Sequence, residues 1–287
     1  YDVGMAEQHA VGFAQGLKLG GMKPICAVYS TFLQRSVDQI FQELALIKTP
    51  VLLALDRAGL VGPDGATHNG VFDIAYISML PNTILMAPRD ATELKAMMDF
   101  GLTLDRPAAV RFPRTKAPAK DKELPEGPAL ELGKAEVLVE GPDGVVIAYG
   151  SMVYPALEAA ELIRERHGKN LTVVNARFAK PFDETLFAKL IENHDHVFTV
   201  EEHVRRGGFG SIVLEFANRA RLEAGKLEIL AIDDRFVDHG ARVEVLKEVG
   251  LDPEGIANSI ERRMGLKGAG SESGSTRNVS AGSSVSG

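Results

Sequence analysis

The sequence predicts an α/β fold: two consecutive, mostly parallel-sheet α/β domains. Three observations carry that reading. Short β-rich apolar runs alternate with longer amphipathic stretches, the arrangement of β-α units that builds parallel sheets with helices on both faces. The alternation stops near residues 113–128, where Pro, Lys, Asp and Glu dominate, and then restarts. A length of 287 residues accommodates two ordinary domains at about 150 residues each.

The elements follow in order. Residues 6–19 read as a helix with Ala and Gly gathered on one face. PICAVYS (24–30) is a short apolar run and therefore a buried strand; 33–47 has helical spacing, and VLLAL (51–55) is the next strand. Residues 56–70 are too rich in Gly, Asp and His for either periodicity and read as a loop. Strand 84–87, helix 91–101 and strand 108–111 complete the first half. In the second half, GVVIAYG (144–150) is a strand, followed by helix 154–167, strand 171–175, helix 183–192 and strand 196–200. A Gly-rich turn at 207–210 leads to helix 211–224 and strand 227–232, and helices 242–249 and 253–264 close the pattern.

The expected organisation is a first domain over 1–115, a linker over 116–128, a second domain over 129–264 and a tail over 265–287. The tail is Gly/Ser-rich with almost no apolar content, so burial cannot offset its ordering entropy and disorder is expected. Tyr1 stands where a start methionine would, and the chain runs directly into a helix. The expectation is that upstream sequence precedes it.

Composition excludes several roles. Thirty-two basic against 39 acidic residues give a net charge of −7, without the basic excess or stripe of a nucleic-acid binder. Cys26 is the sole cysteine, so an internal disulfide framework and CxxC metal sites are excluded and a reducing compartment is expected. No apolar run approaches the roughly 20 residues that span a bilayer, so no membrane partner is expected.

Four clusters carry possible chemistry. In GMAEQHA, Glu7 is either a charge favoured by the helix dipole or a buried carboxyl with a function, since Val3, Met5, Ala6, Ala10 and Val11 would bury the turn. In YSTFLQR, Tyr29, Phe32 and Arg35 follow a strand, where ligands bind in open α/β sheets; a core aromatic and a solvated helix cation are the plainer alternatives. DRAGLVGPDGATHNG (56–70) also begins at a strand end, and its glycines allow close backbone approach to a ligand. An ordinary surface loop fits it too, and Asp64 with His68 lacks further ligands for a metal. VRFPR ends on Arg114, suited either to phosphate or to a surface acid. GGFG at 207–210 lacks the spacing and lysine of a phosphate loop, and DDRFVDHG at 233–240 suggests nothing definite by chemistry alone.

Together these strings resemble the 1-deoxy-D-xylulose-5-phosphate synthase family, and VVNARFAKPFDETL, TVEEH…GGFGS and DDRFVDHG agree in order and spacing through about residue 264. The wider relatives are transketolase and the beta subunits of 2-oxo-acid dehydrogenases. The resemblance implies a transketolase-like pyrimidine-binding domain, N-terminally clipped, followed by a transketolase C-terminal domain. It further implies a thiamine diphosphate enzyme that condenses pyruvate with glyceraldehyde 3-phosphate and releases carbon dioxide, at the head of the non-mevalonate isoprenoid route. Glu7 would then serve the cofactor's aminopyrimidine and catalysis, and Phe32 would stack on that ring. Tyr29, Arg35, Asp64, His68 and Arg114 would face substrate, with His68 also exchanging protons. Mg2+ would be bound by a separate diphosphate domain, whose GDG…N motif does not occur in these residues. A homodimer in the bacterial cytoplasm is expected, with the plastid stroma as the alternative location. A beta-type subunit of a two-chain enzyme and a non-catalytic module are the rival readings.

Overall fold

The computed structural model describes residues 1–116, 118 and 124–266. Most of the expected tail (267–287) and part of the expected linker (117 and 119–123) lie outside the described residues.

Helix α1 (Glu7–Leu19) leads to strand β1 (Ile25–Tyr29). The predicted helix over 33–47 is a composite: a 3-10 segment (Ser30–Ser36), a short α2 (Val37–Gln39) and a π segment (Ile40–Ala45). At the end of the 3-10 segment the Ser36 hydroxyl donates to the Leu33 carbonyl at 3.0 Å, and the later turns place Ile40, Leu44 and Ala45 in the core. Strand β2 (Leu52–Asp56) enters the Gly-rich loop. Helix α3 (Asp73–Ser78), strand β3 (Ile84–Met86), helix α4 (Ala91–Gly101) and strand β4 (Ala108–Arg111) follow.

The second half contains β5 (Glu136–Pro142), β6 (Gly144–Ala148), α5 (Val153–His167), β7 (Leu171–Asn175), β8 (Phe178–Lys180) and α6 (Glu184–Asn193). Then come β9 (Val197–Val204), α7 (Phe209–Arg219), β10 (Leu227–Ile232), α8 (Arg242–Glu248) and α9 (Pro253–Met264). The sequence pattern does not mark α3, β5 and β8. It also ends β9 at Val200, whereas the strand runs on through buried Glu201, Glu202 and His203. The two carboxylates are tolerated because they have partners inside the protein, while the His203 ring is held through Nδ1 at the Val204 carbonyl and its Nε2 has no partner.

Two five-stranded sheets result, ordered β1-β2-β4-β3-β8 and β10-β9-β6-β7-β5. All pairings are parallel except β3 with β8 and β5 with β7. Strand β8 lies after the linker in sequence yet completes the first sheet. Beside it runs a buried ionic network. Arg177 Nε donates to Glu93 Oε1 at 2.7 Å, while Arg89 Nη1 and Arg177 Nη2 converge on Glu136 Oε2 at 2.7 and 2.9 Å. Parallel register sets Tyr29 beside Asp56 and Leu55 beside Arg111. The tips of β1, β2 and β4 therefore open on the same end of the first sheet, where the candidate residues stand.

Candidate active site at the tips of the first sheet

A cleft of about 420 Å³ lies between the start of α1 and the tip of β1, lined among others by Met5, Glu7, Tyr29, Phe32 and His68. Glu7 is the first residue of α1 and is buried. Its Oε2 has no hydrogen-bond donor, although the Arg35 guanidinium stands 3.2 Å away as a charge contact. A buried carboxyl oxygen left without a donor is costly unless a further group completes it.

The aromatic side of the cleft is built from β1 and the 3-10 segment after it. The rings of Tyr29 and Phe32 stack with centroids 5.7 Å apart, and His68 meets Phe32 edge-on at 5.4 Å. The Thr67 hydroxyl lies 2.9 Å from His68 Nδ1, and the Thr31 hydroxyl donates to the Thr67 carbonyl at 3.2 Å. These contacts tie the tip of the 56–70 loop to the segment carrying Phe32.

The cations divide into two groups. Arg35 faces Glu7, whereas Arg114 donates to Asp64 Oδ2 at 2.9 Å. The same oxygen accepts from Arg57 Nη1 at 2.5 Å, and the Arg57 guanidinium lies 4.0 Å from the Tyr29 ring centroid. Arg57 was not singled out from the sequence. Its signal was position: it immediately follows the acid that ends β2, and it is held at φ 58° with its N–H bonded to Asp56 Oδ1 at 2.6 Å. A non-glycine residue in this left-handed region is strained, and such residues cluster at functional sites. Arg111, in the same string as Arg114, turns inward instead and pairs with buried Asp73 at 2.9 Å.

Other candidates resolve differently. The amides of Phe209 and Gly210 in the GGFG turn donate to Glu201 at 2.6 and 2.7 Å, so they are occupied within the chain. Burial pushes the Cys26 thiol up to about 11, which removes it as a nucleophile at neutral pH. Among the described residues, no three His, Cys, Asp or Glu side chains gather as a metal site.

The transketolase pyrimidine binding domain model matches residues 1–120, and the transketolase C-terminal domain model matches residues 133–256. The 1-deoxy-D-xylulose-5-phosphate synthase of Gloeobacter violaceus is 48% identical over 265 residues, covering 92% of this chain and 41% of that protein. That of Synechococcus elongatus is 46% identical over 266 residues, covering 93% and 42%. The chain thus spans about two fifths of the length of these relatives. Among solved structures, a split-gene transketolase described as an inactive beta4 tetramer is similar with TM-score 0.81 and 28% identity, over 93% of this chain and 84% of that one. A transketolase from Campylobacter jejuni shares the fold at TM-score 0.73 and 21% identity, over 90% and 39%.

Proposed function

From the premise that the chain belongs to the transketolase family, we propose that it forms the pyrimidine-binding and C-terminal part of a thiamine diphosphate-dependent synthase that joins pyruvate to glyceraldehyde 3-phosphate with loss of carbon dioxide. The product, 1-deoxy-D-xylulose 5-phosphate, would feed isoprenoid synthesis in the bacterial cytoplasm. The observation that carries the reading is the donor-less Oε2 of buried Glu7 at a cleft walled by Phe32. A flat heteroaromatic ring with a basic nitrogen fits both features: Phe32 packs against the ring, and Glu7 shares a proton with the nitrogen. The diphosphate and Mg2+ are assigned to a region outside residues 1–287.

Bound thiamine diphosphate would supply a nucleophilic carbon and an electron sink for the pair left behind when carbon dioxide departs. The chain's own residues position and exchange protons around it. Glu7 fixes the protonation state of the aminopyrimidine. His68, beside Phe32, exchanges a proton with substrate oxygens. Arg57 and Arg114 present two guanidinium groups to the aldehyde's phosphate, and Asp64 holds them together until it arrives.

One observation favours a second reading, a beta-type subunit of a two-chain enzyme: the chain covers 84% of a split-gene transketolase chain. Both readings are tested by mixing the 287-residue chain with the remaining N-terminal portion of the Gloeobacter relative, thiamine diphosphate and Mg2+. The expected result is carbon dioxide and 1-deoxy-D-xylulose 5-phosphate from pyruvate and glyceraldehyde 3-phosphate in the mixture only. Ketol transfer between sugar phosphates without pyruvate decarboxylation would select the second reading. Synthase turnover by the chain alone would refute the proposed division of labour.

A further inference from the structure

The loop over 56–70 is held from the second domain by side chains that the proposed chemistry does not use. Glu202, at the end of β9, is 1% exposed, and its Oε1 accepts the Leu60 N–H at 2.6 Å. Arg242, the first residue of α8, donates to Glu202 Oε2 at 2.7 Å and, through Nη1, to Glu202 Oε1 and the Leu60 carbonyl. Both backbone polar groups of Leu60 are therefore held by one buried ion pair from the other domain, and the Ser151 hydroxyl donates to the same carboxylate at 2.9 Å.

The rest of the 233–242 segment follows the loop closely. The Gly240 N–H donates to the Gly62 carbonyl at 3.3 Å. Asn69 accepts the Val61 N–H and donates to the Val237 carbonyl, each at 3.1 Å. The approach is tight enough that a methyl group on Gly59 would overlap the Glu202 carboxylate, and one on Gly62 would stand 2.9 Å from Arg242 N and Gly240 O. Both glycines also have left-handed φ values, +81° and +68°.

We propose that Glu202 and Arg242 are positioning residues that clamp the 57–70 loop from the second domain, and so set the Arg57–Asp64–Arg114 cluster for a phosphate-bearing substrate. The physical basis is directional. Residues Leu60 and Val61 sit between Arg57 and Asp64 in sequence, so fixing their amides fixes the span over which those two side chains must meet. A buried, doubly hydrogen-bonded ion pair offers few alternative geometries, whereas a loop held by apolar contact alone can slide. The substrate assignment rests on the function proposed above; the clamp itself rests only on the contacts.

The test uses the 287-residue chain, with hydrogen exchange at amides 60–69 and titration with glycerol 3-phosphate as probe. Glu202→Gln with Arg242→Gln removes both charges together, so neither is stranded. The expected result is exchange at least about tenfold faster at amides 60–69, with α5 and β7 unchanged and probe affinity weakened by about tenfold or more. Arg242→Lys alone, which keeps the charge, should recover part of both effects. Should the double variant fail to fold, Arg242→Lys alone, which cannot span both Glu202 and the Leu60 carbonyl as the guanidinium does, is expected to accelerate exchange at amides 60–69 by a smaller factor, and unchanged loop exchange in it overturns the proposal. Unchanged loop exchange in a folded variant overturns the proposal, as does uniform acceleration across the second domain. If loop exchange accelerates while neither the unaltered chain nor any variant binds glycerol 3-phosphate, the clamp stands and the substrate assignment falls.

Discussion

Arg35 faces Glu7 across 3.2 Å, and that contact sets it apart from Arg114, with which the sequence groups it on the substrate side. Glu7→Gln is near-isosteric but cannot share a proton with a ring nitrogen. In the reconstituted enzyme it is expected to slow hydrogen–deuterium exchange at the cofactor's reactive carbon by about 10²-fold or more, with little change in thermal midpoint; unchanged exchange would sink the assignment. For Arg114→Ala and Arg57→Ala the expected signature is selective: the apparent KM for glyceraldehyde 3-phosphate rises roughly tenfold to 150-fold, while that for pyruvate hardly moves. Arg35→Ala should lower turnover of both substrates in parallel, because its guanidinium stands on Glu7 rather than on Asp64. Initial-rate kinetics with each substrate varied in turn decides these cases. That Glu7, Tyr29, Phe32 and His68 meet at one cleft was legible, because each lies in a string at a helix start or beyond a strand end. Arg57 was not, because a cation after an acid reads as a surface pair until the ring of Tyr29, 28 positions earlier in the sequence, is seen beneath it.

At the scale of elements, the alternation of β and α was readable along most of the chain, and helices α4 and α9 and strands β4, β7 and β10 fall where their periodicity puts them. What escaped were the short α3 and β8, too brief to show a period, the largely exposed β5, and structure made by polar groups. Strand β9 was read as ending where charge begins, yet Glu201 and His203 continue it inside the core and have opposite pH responses. Burial pushes His203 down to about 4, with Asp73 opposing and Arg111 adding to the shift. Its folded value lies below the ordinary 6.5, so the stability it contributes is present above that pH and is lost as pH falls toward 4. Burial pushes Glu201 up to about 7, against the Phe209 and Gly210 amides that pull it down. Its contribution is full below the ordinary 4.5 and is lost as pH rises toward 7. Each shift corresponds to about 3 kcal/mol, so across pH 4.5 to 6.5 they largely cancel. His203→Asn should then lose stability relative to the unaltered chain as pH rises through this window, and Glu201→Gln as pH falls. Urea midpoints at several pH values check this, and curves parallel to the unaltered chain would remove the assignment.

At the scale of the whole molecule, apolar surface gathers at the outer edge of the first sheet. Strand β1 pairs on one side only, Ile25 is 46% exposed, and Met5, Leu19 and Met22 are more exposed still. Exposed apolar side chains beside an unpaired strand edge favour association, and we expect a homodimer. Sedimentation of a well-folded 30.9 kDa monomer at tens of micromolar would refute it. The division of the chain into two halves was legible from the break in composition near 113–128; the exchange of β8 was not, because three residues after an Asn-Ala-Arg turn carry no periodicity that names a partner sheet. That exchange has a consequence for inheritance. The first sheet is finished by a strand encoded on the far side of the linker, so a gene broken at the linker would yield two products, the first of which cannot complete its own sheet. Recombination that carried only the first half elsewhere would leave the Arg177 and Glu136 charges of the second without Glu93 and Arg89. The segment that can travel between genomes with its sheet closed and its buried charges paired is the two halves together.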